Sequence, residues 1–220
     1  MNISFTKKQE LLAFLLQFIS DNKKNKFDEF IKHRTKHLTV VIENIFQSHN
    51  ASAVLRTCDC VGVQDVHIIE KGNSFKPNSE IAFGASKWLN IQKHNTVDCL
   101  VELKSKGYKI IATMPNENCK FIDELDLTQK SALVFGQEKD GLSQEAIKYC
   151  DEFAKIRMYG FTESYNISVA AAICLYQLTE KLRNSSIRWQ LSEDDLLDTK
   201  LLWAKNAIND SDKLVKRFFL

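Results

Sequence analysis

Leu38-Thr39-Val40-Val41-Ile42 is the first of several short β-branched runs that decide the fold of this chain. Val66-His67-Ile68-Ile69, Tyr108-Lys109-Ile110-Ile111-Ala112, Ala132-Leu133-Val134-Phe135 and Phe153-Ala154-Lys155-Ile156 repeat the pattern. Stretches of helical texture separate them: Ala51 to Val61, Thr96 to Lys106 closed by Gly107, Ser143 to Tyr149 with Ser143 as N-cap, and the strongly apolar Ile167 to Leu182. Strands that are apolar almost throughout are covered on both faces. Their alternation with helices predicts an α/β domain built on a mainly parallel sheet with helices on both sides.

Outside this region the texture is helical. Leu11, Leu12, Phe14, Leu15, Phe18 and Ile19 recur at helical spacing within Lys7 to His37. The second half of that stretch is basic, with Lys23, Lys24, Lys26, Lys32, Arg34 and Lys36, and reads either as a solvated helical face or as a phosphate-binding arm. After the loop Asn184-Ser185-Ser186, Leu191 to Ile208 and Lys213 to Leu220 read as helices, the first opening on the acidic Ser192-Glu193-Asp194-Asp195. The expected organisation is a basic helical extension over 1–37, an α/β domain over 38–183 and a C-terminal helical extension over 184–220.

Bulk properties narrow the class. With 220 residues, 44% of them hydrophobic, the chain can bury one sizeable core, and a net charge of +2 leaves any nucleic-acid partner to a local patch. The apolar stretch Leu11 to Ile19 is interrupted by Gln17 and is too short to span a bilayer, and no cleavage site follows it, so a cytoplasmic protein with no membrane partner is expected. Its six cysteines are then expected to be reduced. Cys58 and Cys60 do not form a Cys-x-x-Cys arrangement, and no Cys/His pair of zinc-finger spacing completes a site, so no metal is expected. Asn50-Ala51-Ser52 and Asn166-Ile167-Ser168 have the glycosylation pattern, which has no meaning without secretion.

Three polar segments follow strands, where open α/β sheets place their sites. The first, Glu43 to Asn50, leads to Arg56. Ser52 and Arg56 are four apart and share a helical face, Asn50 is suited to an N-cap, and Arg56 equally suits a surface ion pair. The second, Phe135-Gly136-Gln137-Glu138-Lys139-Asp140-Gly141-Leu142-Ser143, approaches a P-loop but has Leu142 where the phosphate-binding lysine belongs, which excludes a nucleotide triphosphatase. Its two glycines still allow tight turns and close backbone approach to a ligand. The third runs from Ile156 to Asn166 and joins a strand to the apolar helix, where Ser164 and Asn166 serve either as caps or beside a ligand held by exposed amides.

Taken together these segments resemble the tRNA/rRNA 2′-O-methyltransferase family of the knotted SPOUT superfamily. The resemblance rests on Asn44-Ile45-Phe46 with His49 to Asp59 and Gly62, on Leu133 to Ser143, and on Ile156 to Gly160 with Ser164 to Ala170, in the family's order. Gly84-Ala85-Ser86-Lys87-Trp88 adds a further segment, and the match runs from about Leu38 to Leu182. Arg157, where proline is frequent, and the filling Phe161-Thr162-Glu163 depart from the pattern. The short helical N-terminus, Arg34 before the first strand and Trp203 in the C-terminal helices are similar to the branch that acts on guanosine 18 of tRNA.

The resemblance implies a C-terminal trefoil knot, a homodimer with active sites built from both chains, and transfer of a methyl group from S-adenosylmethionine to a ribose 2′-hydroxyl in the D-loop of tRNA. It implies catalytic roles for Asn50, Arg56, Glu138, Ser164 and Asn166, with the methyl donor against Thr113, Phe135, Gly136, Ile156, Met158 and Ile167. Phosphate contacts are expected at Lys26, Arg34 and Lys87. Arginine holds its proton in proteins, so Arg56 is read as a base only if its pKa falls strongly, and otherwise as a cation that grips a phosphate and stabilises alkoxide charge. The rival readings are a sister enzyme acting on ribosomal RNA and a catalytically silent RNA-binding protein of the same fold.

Overall fold

The computed structural model describes residues 3–44, 48–70, 84–114, 119–137 and 140–220. They divide into two compact units, one of residues 36–189 and the other of residues 1–35 with 190–220.

The larger unit is an all-parallel, seven-stranded sheet in the order β3-β2-β1-β6-β4-β7-β5. Its strands are β1 (Leu38–Glu43), β2 (Asp65–Ile69), β3 (Asn90–His94), β4 (Lys109–Thr113), β5 (Lys120–Phe121), β6 (Ser131–Phe135) and β7 (Glu152–Lys155). The central strands β1, β2 and β6 are buried at every position, as continuous apolar runs require. The twofold alternation of side chains sorts them between two cores. Leu38, Val40 and Ile42 of β1 join Leu133 and Phe135 of β6 in one core, together with residues of the helices α3 (Ser48–Val61) and α6 (Ile167–Arg183). Val41 of β1 with Ala132 and Val134 of β6 point to the other core, built with α4 (Thr96–Ser105) and α5 (Gln144–Ile147).

Two strands escape the sequence reading. β3 carries Asn90, Gln92, Lys93 and His94 and lacks a β-branched run, and β5 has two residues at the sheet edge. Both are strands because a neighbour offers a ladder: β3 pairs with β2 from Asp65↔Asn90 to Ile69↔His94, and β5 pairs with β7.

The smaller unit joins both ends of the chain. α1 (Phe5–Leu16) and α2 (Asp21–Phe30) are separate helices where one continuous segment is expected, followed by a 3-10 turn over Ile31–His33. Ser20, extended at the start of α2, marks the break. These pack with α7 (Glu193–Ala207) and α8 (Ser211–Phe218). Phe27 meets Trp203 at 5.4 Å between ring centroids, Lys8 pairs with Asp198 at 2.6 Å and Lys200 with Asp28 at 2.6 Å. The acidic run is indeed a helix start: the Ser192 hydroxyl accepts from the Asp195 amide.

Candidate functional site

The adjacent strands β6, β4 and β7 end together, and a cavity of about 320 Å³ opens at their carboxyl ends. Thr113 and Met114 end β4, Phe135 and Gly136 end β6, Ala154, Lys155 and Ile156 end β7, and Ile167 of α6 closes one side. All six residues expected against the methyl donor (Thr113, Phe135, Gly136, Ile156, Met158 and Ile167) line this one cavity, as does Ser164. Met114, Gln137, Tyr165 and Cys174 also line it and were not anticipated. They carry no distinguishing pattern in sequence, because backbone position places them there.

Hydrogen bonds fix the rim. The Thr113 hydroxyl donates to the Val134 carbonyl at 2.9 Å, and the Met114 amide to the Ala154 carbonyl at 3.0 Å, so the three strand ends are tied to one another. Past β6, the Gln137 and Gly141 backbones exchange two bonds of 3.0 Å each, folding the chain back on itself. Gly141 takes φ +66°, and a Cβ on Gly136 would lie 2.6 Å from the Leu142 nitrogen and still closer to the Gly141 carbonyl group. Both glycines are therefore demanded by the turn. Cys174 at the cavity wall is no nucleophile at neutral pH, since burial pushes its thiol up to about 12.

Glu43 organises the approach from the other side. Its carboxylate, buried at the end of β1, accepts from the Ser143 amide at 2.9 Å, the Ser143 hydroxyl at 2.6 Å and the Thr96 hydroxyl at 3.3 Å. Ser143 in turn caps α5 by accepting from the Ala146 amide. A buried charge with three donors is satisfied, and it clamps the first polar segment to the second. The sequence reading gave Glu43 no role, although an acid closing a mostly apolar strand is a signal that was there to be found.

Of the expected catalytic residues, Asn50 and Asn166 come together across 116 positions of sequence: the Asn166 amide donates to the Asn50 Oδ1 at 3.4 Å. Asn166 is the N-cap of α6, its Oδ1 accepting from the Ser168 amide at 2.9 Å. Asn50 is not a cap, because α3 begins earlier, at Ser48, and Asn50 lies buried inside the first turn. Arg56 is exposed on α3 and is not among the described residues that line the cavity. Glu138 lies outside the described residues.

Of the expected phosphate contacts, Lys26 on α2 and Lys87 in the 3-10 turn over Ala85–Lys87 are exposed. Arg34 is placed otherwise. It is 6% exposed, with its guanidinium 5.2 Å from the Trp203 ring centroid, so it packs within the helical unit and is not held out to a phosphate. Arg157, the departure from proline, stacks on Phe121 at 3.7 Å and pairs with Asp123 at 3.1 Å and Glu124 at 3.3 Å. It anchors the strand leaving β7 by side-chain contacts where a proline would do so by restricting the backbone.

With this arrangement in view, the profile of the SpoU rRNA methylase family matches residues 37–176. The chain belongs to that family. Over 200 residues it is 41% identical to a tRNA (guanosine(18)-2′-O)-methyltransferase of Borreliella burgdorferi, covering 90% of this chain and 92% of the relative. The crystal structure of the A. aeolicus TrmH/SpoU tRNA modifying enzyme superposes with a TM-score of 0.79 at 32% identity, over 86% of this chain and 98% of that one. The SpoU methyltransferase AviRb of Streptomyces viridochromogenes, solved in complex with AdoMet, shares the fold at 19% identity with a TM-score of 0.63, over 71% of this chain and 65% of that one. Among the described residues no helix is long and apolar enough to cross a membrane.

Proposed function

We propose that this chain is a cytoplasmic tRNA (guanosine-2′-O)-methyltransferase acting on the ribose of guanosine 18 in the D-loop, with S-adenosylmethionine as donor. The observation that carries the reading is the convergence of the second and third polar segments on one cavity, in a chain similar over nine-tenths of its length to an enzyme of that name. The cavity suits the donor. Its volume lies at the lower end of the range for small-molecule sites, and its walls are mostly apolar. When bound there, S-adenosylmethionine supplies a methyl group activated by its sulfonium. Thr113, Phe135, Gly136, Ile156, Met158 and Ile167 would hold it.

The protein's own residues then have to position a ribose hydroxyl and manage its proton. In this reading Arg56 stays cationic, binds the adjacent phosphate and stabilises charge growing on the 2′-oxygen. Asn50 and Asn166 orient the ribose through their shared contact, Glu138 orders the same site, and Ser164 helps exclude water.

Arg56 is not among the described residues that line the cavity of its own chain, and the proposal includes a homodimer in which a second copy brings its Arg56 to the site. The surface for such a partner is at hand in Val169 and Tyr176, exposed on α6 at 45% and 65%, with Tyr159 exposed at 92%. The strand order supports a trefoil knot, since β6 inserts between β1 and β4 and β7 between β4 and β5 before α6 packs back beside α3. Lys26 and Lys87 are the proposed phosphate contacts; Arg34 is left to packing.

The test is direct. Purified protein with radiolabelled S-adenosylmethionine and unmodified tRNA transcripts should place label on the 2′-oxygen of a D-loop guanosine. Label on ribosomal RNA fragments alone would keep the chemistry and move the substrate. Absence of both labelling and donor binding would leave an RNA-binding protein without catalysis.

A further inference from the structure

Three metal-ligand side chains from three different elements meet on the face of the sheet covered by α4. The parallel register pairs Ile69 with His94, so His67, two residues before Ile69, lies on the same face as His94. Cys99, on the buried side of α4, faces them. The His67 Nδ1 and His94 Nε2 are 3.1 Å apart, the rings are 5.2 Å apart between centroids, and the Cys99 Sγ completes a set whose atoms all lie within 4.8 Å of one another. Glu102, one turn after Cys99, brings its Oε2 to 3.7 Å from the other nitrogen of His94.

We infer that His67, His94 and Cys99 form a binding site for a soft divalent cation, zinc being the best match, with Glu102 orienting His94 from behind. Tetrahedral zinc with ordinary bond lengths sets two imidazole nitrogens about 3.3 Å apart and nitrogen and sulfur about 3.6 Å apart. The two histidines are already close to that spacing, and the thiol closes it by a shift of about 1.2 Å at most. The Glu102 carboxylate, 3.7 Å from the His94 Nδ1, stands on the side from which a carboxylate orients a metal-binding histidine. Two imidazoles and a thiolate exclude magnesium and calcium, which take oxygen ligands.

Lys106 is the opposing charge nearby, and it is paired with Glu102 at 2.5 Å. His67 and Cys99 are 3% and 0% exposed, while the His94 side chain is 12% exposed, so an ion enters from the His94 side and a water takes the fourth position. None of these residues lines the methyl-donor cavity. The site would fasten β2, β3 and α4 to one another. Sequence spacing hides it, since its members lie on two strands and a helix and match no zinc-finger interval.

The experiment is a titration of the chelator-stripped full chain with Co²⁺ under anaerobic conditions, followed by absorption. One equivalent should produce a thiolate-to-cobalt charge-transfer band with tetrahedral ligand-field bands, and Zn²⁺ should abolish both by displacement. Cys99→Ala should lose the charge-transfer band, and His94→Gln, at the more exposed ligand, should weaken Co²⁺ binding at least about tenfold by the usual cost of a lost ligand or its support. Cys60→Ala, at an exposed cysteine elsewhere, should behave as wild type. A wild-type protein that develops no band, or a folded Cys99→Ala protein that keeps it, overturns the site. If Cys99→Ala fails to fold, full-affinity binding by His94→Gln overturns it instead.

Discussion

At the scale of single residues, Gly136 is where backbone geometry leaves the least choice. The turn after β6 brings the Gly141 carbonyl group and the Leu142 nitrogen into the space a side chain would need, and the neighbours in the way are backbone atoms with nowhere to go. Gly136→Ala should therefore destabilise the protein by roughly 1–3 kcal/mol, as overpacking a rigid site does. It should also weaken S-adenosylmethionine binding if the proposed donor site is right, because the turn lines that cavity. Urea unfolding and calorimetric titration with the donor measure the two effects. Unchanged values in both would mean that the loop stands farther from β6 than described. Gly136 was legible in sequence as a turn residue, but its reason was not: the close approach is set by a partner five residues on, whose own φ of +66° only the folded chain displays. Arg34 is the opposite case. Its basic surroundings suggested phosphate, and a tryptophan far along the chain takes it instead.

Among the elements, α6 carries two duties on one cap. The Asn166 Oδ1 accepts from the Ser168 amide while its Nδ2 reaches Asn50. Asn166→Ala removes both and should cost about 1 kcal/mol of stability, the usual value for an N-cap. Asn166→Asp keeps the acceptor and adds a charge that the helix N-terminus favours, so stability should hold. Methyl transfer should still fall about tenfold or more, since the donor toward Asn50 is gone. Equal activity in Asn166→Asp and wild type would reduce the residue to a cap. At the far edge of the sheet, Glu152 of β7 pairs with Lys109 of β4 and Lys120 of β5. Burial works to raise its pKa, but the bonds to the two lysines outweigh burial and hold it below the ordinary 4.5. A carboxyl depressed in the folded state adds stability that is present above the unfolded value and is lost as pH falls through the folded one. Glu152→Gln should accordingly flatten the decline of stability below pH 4.5, with denaturation curves at stepped pH as the check. The strands that sequence made plain were those with apolar β-branched runs, β1, β2, β4, β6 and β7. β3 and β5 were illegible because pairing with a neighbour, and not their own composition, makes them strands. The cavity residues were legible through their family segments, whereas the Glu43 clamp joins residues 100 apart and needs the fold to be seen.

At the scale of the whole molecule, the proposed function has to bring the exposed Arg56 and the proposed donor cavity to one reaction. Within one chain the cavity gathers Ser164 and the strand ends, with Asn166 as the cap of the helix that closes it, while Arg56 sits on the exposed side of α3. The proposed symmetric pair, in which each copy would lend its Arg56 to the other, would answer this, because a twofold interface makes every such exchange reciprocal. The consequence is testable by mixing two inactive proteins. Arg56→Ala alone should transfer methyl groups at a small fraction of the wild-type rate, and so should Asn166→Asp. Unfolded together and refolded, half of the pairs formed are mixed, and each mixed pair holds one site with both defects and one with neither. Recovered activity should then approach about a quarter of wild type, the fraction of sites restored by random pairing under twofold symmetry. If Arg56 served the cavity of its own chain, both sites of a mixed pair would carry one defect each, and mixing would restore nothing. Sedimentation of the mixture separates that outcome from a simple failure to pair.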